Sequence, residues 1–348
     1  MTDMAQRPSR AVALLFTGQG TQHLRMAAGL YGTEESFTTW MDRTFELFGA
    51  VGPRLREQWL ATEPSPMFDD VSVAQPLLYA VNHALGRMLL GWGVRPVALL
   101  GHSAGELAAA TLAGVFDFAD GVRLMRGRIG QFADTPPGGM LAVAASVDDV
   151  ADVLPLGAHV AAVNASRQVL LSGALGPLRE AARVLAARGV VCREVPARQA
   201  FHSPLVASAA TAALPDWQAV RLRPPRLTLY SAYTGGLLDD LTAVDPAFWA
   251  DQAVATVYFG PALTRLLADH DCLLVECGPG NSLSTLARRQ PAVISRSSAV
   301  QPLLPDRPRG DVADLRAVAE ARRRLRSEGA LGAAAHPPGR EPSPVRLR

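Results

Sequence analysis

Between Pro96 and Leu100 the chain runs apolar, stops at Gly101, and from Gly105 takes up an Ala/Leu-rich helical pattern. The junction, Gly101-His102-Ser103-Ala104-Gly105, fits Gly-x-Ser-x-Gly. A buried strand turning at once into a helix through a glycine bend reads as α/β architecture, with a serine held at the helix N-terminus. Such a serine is chemically useful. The unpaired N–H groups and the dipole of the first helical turn favour negative charge beside it, and the N–H of Ala104 can donate to an oxyanion. Loose five-residue patterns also occur in ordinary glycine turns, but here the required strand and helix are both present. Ser103 is therefore the candidate nucleophile.

At 348 residues the chain is long for one core, so a large domain with a smaller inserted or appended one is expected. Hydrophobic residues at 49% and charged residues at 19% suit a folded enzyme and exclude a disordered chain. A net charge of +2 gives no case for nucleic acid or an anionic membrane surface. The surplus base sits largely in Arg322-Arg-Arg-Leu-Arg326 and Arg346-Leu-Arg348, which read as solvated arginines. Cys192, Cys272 and Cys277 form no paired framework and read as reduced thiols, which makes the cytoplasm the expected location. Ala11–Phe16 is too short to span a membrane and lacks a cleavage pattern, so it reads as the first core strand.

Along the chain, Phe16-Thr-Gly-Gln-Gly-Thr-Gln22 forms a turn where backbone can approach a ligand; with no Gly-x-Gly-x-x-Gly, it is not a dinucleotide site. Residues 26–60 read as helical, with aromatic residues at core spacing, and Gln75–Leu90 as a buried helix with Pro76 in its first turn. Helices are expected on either side of Gly114, the second running from Phe118 to Arg128. Pro136-Pro-Gly-Gly139 breaks the pattern. Beyond it, strands at 140–145, 159–164, 168–171 and 190–195 and helices at 147–154 and 175–187 follow a βαββαβ order, the ferredoxin-like arrangement. The predicted division is a large α/β domain over 11–135 and 201–305, with a parallel sheet, and an inserted ferredoxin-like subdomain over 136–200. A C-terminal helix and a disordered tail are expected over 306–348.

A serine hydroxyl needs a base, and histidine suits neutral pH. His102 adjoins Ser103, but neighbours around a sharp bend point apart. His23, His83, His159 and His270 lie in or beside predicted elements, and His336 is in the tail. His202 stands in a breaker-rich segment 99 residues beyond Ser103, where the chain re-enters the large domain; spacing alone does not settle the choice.

Four motifs occur together: Gly18-Gln-Gly20, Gly101-His-Ser-Ala-Gly-Glu106, Ala200-Phe-His-Ser-Pro204 and Glu276-Cys-Gly-Pro-Gly280. Their order resembles that of malonyl-CoA:acyl-carrier-protein transacylases and the acyltransferase domains of polyketide synthases, from about Ala11 to Ala287. The resemblance implies a large α/β-hydrolase-like domain with a ferredoxin-like subdomain, and a Ser–His dyad of Ser103 and His202. It places the histidine-orienting carbonyl at Gln252 and the oxyanion hole at the N–H groups of Gln19 and Ala104. Arg128, 25 residues past the serine, is implied as the clamp for a malonyl carboxylate, since guanidinium can hold a carboxylate bidentately. Arg123 and Arg126 compete for that role. Gly127 departs from the family, which usually has a larger apolar residue there and so a firmer helix.

Ala-Phe-His before Ser-Pro is similar to the malonyl-selective group, with Phe201 filling the space an α-methyl needs. The implied reaction moves malonyl from malonyl-CoA to Ser103, then to the phosphopantetheine thiol of an acyl carrier protein in polyketide or fatty-acid biosynthesis. It needs neither metal nor redox cofactor. With Met1 directly before the domain and no ketosynthase or carrier region in the sequence, the chain reads as a freestanding enzyme acting on its carrier in trans, and the resemblance implies a monomer. An editing acyl hydrolase would use the same dyad but has no purpose for Arg128, and a non-catalytic carrier-binding module has no purpose for Ser103 or His202. Methylmalonyl is the alternative acyl group.

Overall fold

The computed structural model describes residues 10–331, so the part of the predicted tail beyond residue 331, with His336 and Arg346–Arg348, lies outside the described residues. Ten strands run in chain order: β1 (Ala11–Phe16), β2 (Ala98–Gly101), β3 (Gly139–Val143), β4 (Ala158–Ala165), β5 (Gln168–Gly173), β6 (Cys192–Val195), β7 (Leu229–Ser231), β8 (Gly236–Leu237), β9 (Cys272–Cys277) and β10 (Ala299–Pro302), counted among the described residues. They form a six-stranded sheet of order β10-β9-β1-β2-β7-β8, parallel except for β8, and a four-stranded antiparallel sheet of order β4-β5-β3-β6.

The parallel sheet follows from the apolar runs. Parallel strands covered by helices on both faces need apolar residues at every position rather than every second one. In β1, Val12, Leu14 and Phe16 enter one core, beside the long Val71–Gly91 helix, while Ala13 and Leu15 enter the other, beside the Phe259–Asp269 helix. In β2, Leu99 faces the first core and Ala98 and Leu100 the second. The small sheet buries only one face in its own core, where Leu141, Val143, Val169 and Leu171 meet Val150, Val153, Leu178, Ala181 and Leu185. Its strand order and one-sided helix layer are the ferredoxin-like arrangement. The expectation of a large α/β unit with a ferredoxin-like subdomain therefore holds.

Local boundaries differ in places. The helix expected from Gln75 begins at Val71, because Asp70 caps it by accepting from the Ser72 N–H at 3.0 Å; Pro76 therefore falls in the second turn. Residues 26–60 are not one helix. Gly49, at φ 62°, and Pro53 separate the Glu35–Leu47 and Gly52–Leu60 helices. The helix expected to end at Arg128 runs Phe118–Ala133, and residues 148–156 are 3₁₀ rather than α. No helix among the described residues is long and apolar enough to cross a membrane.

The arginine-rich helix, Asp311–Ser327, buries Asp314, Val318, Ala321 and Leu325 on one side, leaving Arg322 to lie 4.9 Å from the Trp92 ring centre and Arg324 to pair with Glu328 at 2.5 Å.

Candidate active site

β1 and β2 end side by side, and the loops leaving their carboxyl ends carry Gln19 and Ser103. The elbow is tight: a Cβ on Gly105 would stand 2.3 Å from the Phe16 carbonyl oxygen, so helix and strand approach to a distance only glycine permits. Ser103 takes φ 52° and His202 takes φ 60°. Left-handed backbone at a non-glycine residue costs of order 1–3 kcal/mol, and it persists only where surrounding structure enforces it. Here it brings Ser103 Oγ to 2.8 Å from His202 Nε2.

The tautomer follows from the partners. His202 Nδ1 faces two carbonyl oxygens, Gln252 at 3.1 Å and Ala255 at 3.0 Å, which can only accept. Nδ1 therefore carries the proton, and Nε2 is left to accept from the serine hydroxyl. Burial, with smaller contributions from His102 and Arg128, holds His202 down at about 3 despite the opposing pull of the two carbonyls. The imidazole is thus neutral at neutral pH, the form that can take a proton. His102 points elsewhere, its Nε2 2.8 Å from Asn164 Oδ1 on β4.

A chain of side chains links the Gln19 turn to Arg128. Gln75 Nε2 donates to Gln19 Oε1 at 2.9 Å, and Arg128 Nε donates to Gln75 Oε1 at 3.0 Å. The guanidinium also lies 5.2 Å from the Phe132 ring centre, and Phe132 packs on Phe201 at 5.2 Å. Arg123 is paired with Asp120 at 3.1 Å and Arg126 is exposed, so among the three arginines it is Arg128 that turns inward. The helix stays continuous through Gly127. A Cβ there would meet Asp216 Oδ2 at 2.8 Å, the oxygen that accepts from Gln131 Nε2 and ties this helix to Ala207–Gln218. Phe201 is 5% exposed.

The backbone of Gly18 lies against the elbow, since a Cβ on it would stand 2.5 Å from the His102 carbonyl oxygen and 3.3 Å from Ser103 Cβ. The Gln19 and Ala104 amides thus belong to the two segments that meet at the serine.

Several residues of the site were not singled out from sequence: Glu106, Gln75, Asn164, Ala255 and Tyr233. Glu106 carried the clearest signal, the one charged residue in the helix Gly105–Ala113. It is fully buried and accepts from Ser231 Oγ at 2.6 Å, the Ala232 N–H at 2.9 Å and Gln252 Nε2 at 3.3 Å. Burial raises it to about 8 against the pull of those three donors.

A family model described as "Acyl transferase domain" matches residues 13–322. A phenolphthiocerol/phthiocerol polyketide synthase polypeptide of Mycobacterium tuberculosis is 36% identical over 294 residues, which is 81% of this chain and 19% of that much longer relative. Among solved structures, the acyltransferase domain from the second module of the salinomycin polyketide synthase is 31% identical with TM-score 0.81, over 90% of this chain and 72% of that one. The SpnD acyltransferase domain, in complex with 2-(pent-4-yn-1-yl)malonyl, is 32% identical with TM-score 0.86, over 93% and 79%. The malonyl CoA-acyl carrier protein transacylase of Clostridium perfringens shares the fold at TM-score 0.77 and 22% identity, over 92% and 99%.

Proposed function

Because the chain belongs to the acyl transferase domain family, we propose that it moves a malonyl group from malonyl-CoA, through an ester on Ser103, to the phosphopantetheine thiol of an acyl carrier protein. The observation that carries this reading is the 2.8 Å contact between Ser103 Oγ and a neutral His202 Nε2, with Arg128 turned into the same site. Ser103 Oγ attacks the thioester carbon as His202 Nε2 takes its proton. The carbon–sulfur bond breaks, and the proton passes to the leaving CoA sulfur. In the second half the carrier thiol gives its proton to His202, its sulfur attacks the ester, and Ser103 recovers the proton. The N–H groups of Gln19 and Ala104 donate to the oxyanion in both halves. The carbonyls of Gln252 and Ala255 fix the imidazole and stabilise its cationic form, the part an aspartate plays in a triad.

Arg128 favours an acyl group with a free carboxylate. Its Nε is engaged by Gln75, so its terminal nitrogens are the ones to meet the substrate. The SpnD relative holds a 2-substituted malonyl, which supports the same class here. Phe201, behind Phe132, favours the unsubstituted member. The chemistry calls for no metal or redox cofactor, and three free cysteines suit a cytoplasmic setting.

The test is intact-mass measurement of the protein after brief exposure to malonyl-CoA, followed by holo-carrier protein. A malonyl adduct absent from Ser103→Ala and passed to the carrier is the expected result. Rapid loss of the adduct to water overturns the transferase reading in favour of an acyl hydrolase, and an adduct formed equally well from acetyl-CoA overturns the malonyl assignment.

A further inference from the structure

The turn after β7 brings an additional polar side chain to the Ser103–His202 dyad. Ser231 Oγ and the Ala232 N–H both donate to the Glu106 carboxyl, and the Tyr233 N–H donates to Ser231 Oγ at 3.0 Å. The turn is therefore pinned to the first turn of the elbow helix, and the tyrosine that follows has little freedom. Its ring centre lies 6.1 Å from that of His202 and 6.5 Å from that of Phe248, whose ring stands at right angles to it. His202 Nε2 is itself 2.8 Å from Ser103 Oγ, so the Tyr233 ring beside that imidazole flanks the dyad. Burial foremost, and the Glu106 carboxyl after it, keep the phenol protonated, so it remains a donor. The dyad does not use it, because the serine proton already goes to His202 Nε2.

A malonyl ester has only three carbons: the carbonyl on Ser103, the carboxylate facing Arg128, and C2 between them. A side chain that flanks the dyad stands beside the acyl group bound on Ser103. We propose that Tyr233 determines the acyl group accepted at Ser103: its hydroxyl donates to the malonyl carboxylate together with Arg128, and its ring takes the space an α-branch on C2 would need. The inference rests on the malonyl reading above and adds to it. Phe201 packs on Phe132, whereas Tyr233 packs beside the histidine of the dyad.

The experiment measures initial rates of Ser103 acylation by malonyl-, methylmalonyl- and acetyl-CoA in the full chain, Tyr233→Phe and Tyr233→Ala, read by intact mass. Removing only the hydroxyl is expected to raise the KM for malonyl-CoA about tenfold, the worth of one hydrogen bond to a charged group, with the acetyl rate unchanged. Removing the ring is expected to raise methylmalonyl relative to malonyl by about 10- to 100-fold, the range a pocket gains or loses per methyl group. If both variants keep the wild-type ratios among the three substrates within twofold, Tyr233 has no such role. Should Tyr233→Ala fail to fold, Tyr233→Phe decides alone: an unchanged malonyl KM overturns the proposal. A wild-type chain that takes up acetyl but no malonyl removes the malonyl reading first, and the role of Tyr233 with it. Normal malonylation with unmoved ratios removes only the latter.

Discussion

Gln252 joins two parts of the site: its side chain donates to the Glu106 carboxyl at 3.3 Å while its carbonyl accepts from His202 Nδ1 at 3.1 Å. The carboxyl is buried and holds the Ser231–Ala232 turn as well, so one residue of the elbow helix sets the position of the histidine behind the serine. Glu106→Ala leaves three donors without their acceptor, each at a desolvation cost of about 1–3 kcal/mol. The expected outcome is a loss of several kcal/mol of stability in urea unfolding. Glu106→Gln keeps the shape and should fold, with acylation slowed because an amide cannot accept from all three donors as the carboxyl does. Acylation rates at fixed temperature, with folding confirmed by circular dichroism, check this.

The pH dependence of stability carries the same carboxyl's signature. Glu106 is raised to about 8 and Glu276 to about 7, both chiefly by burial. From the unfolded carboxyl value near 4.3 up to these values, the unfolded chain has released protons that the native state retains, so stability falls as pH rises, by up to about 1.4 kcal/mol per pH unit for each group. His202 acts at lower pH and with the opposite slope. Held at about 3, it resists protonation that the unfolded histidine accepts near 6.5, so stability falls as pH drops from about 6.5 towards 3. Urea titrations between pH 4 and 9 should show both trends, and the Glu106→Gln variant should lose its share of the alkaline slope.

The depressed value of His202 also bears on rate. In the free enzyme the base stays unprotonated well below its ordinary value, so kcat/KM for acylation is expected to hold level from pH 7 down to about 5. An acid limb near 6.5 would mean that His202 titrates as an exposed histidine does. Removing the Arg128 cation, one of the charges that lower it, should move any acid limb upward.

Much of this site is legible in the sequence because its backbone requirements are local. Gly105 marks a close approach, the apolar runs of β1 and β2 mark a sheet covered on both faces, and the turns at Gly18 and His202 sit among breakers. The supporting polar residues are harder to read. Gln75 lies in a helix buried nearly all round, where one amide looks incidental until Gln19 and Arg128 are seen on either side of it. Ala255 acts through its carbonyl, which no side chain announces. β8 and β10 escape because they are edge strands of two and four residues, the second ending in Pro302.

Arg128 gives a sharp prediction about selectivity. Truncating one partner of a buried, hydrogen-bonded charge pair costs about 2–5 kcal/mol. Arg128→Ala should therefore lower kcat/KM for malonyl-CoA by at least about 30-fold while leaving acetyl-CoA nearly unaffected. Lysine should rescue little of this, since it cannot donate to Gln75 and hold a carboxylate with a planar fork at the same time. Parallel acylation assays with the two thioesters give the ratio directly.

The turn that brings Gln19 to the serine can be tested through the residue beside it. A Cβ on Gly18 would stand 2.5 Å from the His102 carbonyl oxygen and 3.1 Å from His102 Nδ1, so Gly18→Ala forces the turn and the elbow apart. His102 cannot give way freely, because its Nε2 is engaged with Asn164 and its N–H donates to the Phe16 carbonyl at 2.9 Å. The displacement must then fall on the Gln19 turn. Losing one oxyanion donor costs on the order of 10²–10³ in rate. Gly18→Ala is accordingly expected to keep its fold, since the turn lies at the end of β1 rather than within it, and to acylate at least about 100-fold more slowly. If Gly18→Ala acylates at the wild-type rate, the Gln19 amide is not a donor to the oxyanion, and Ala104 must serve with some other group.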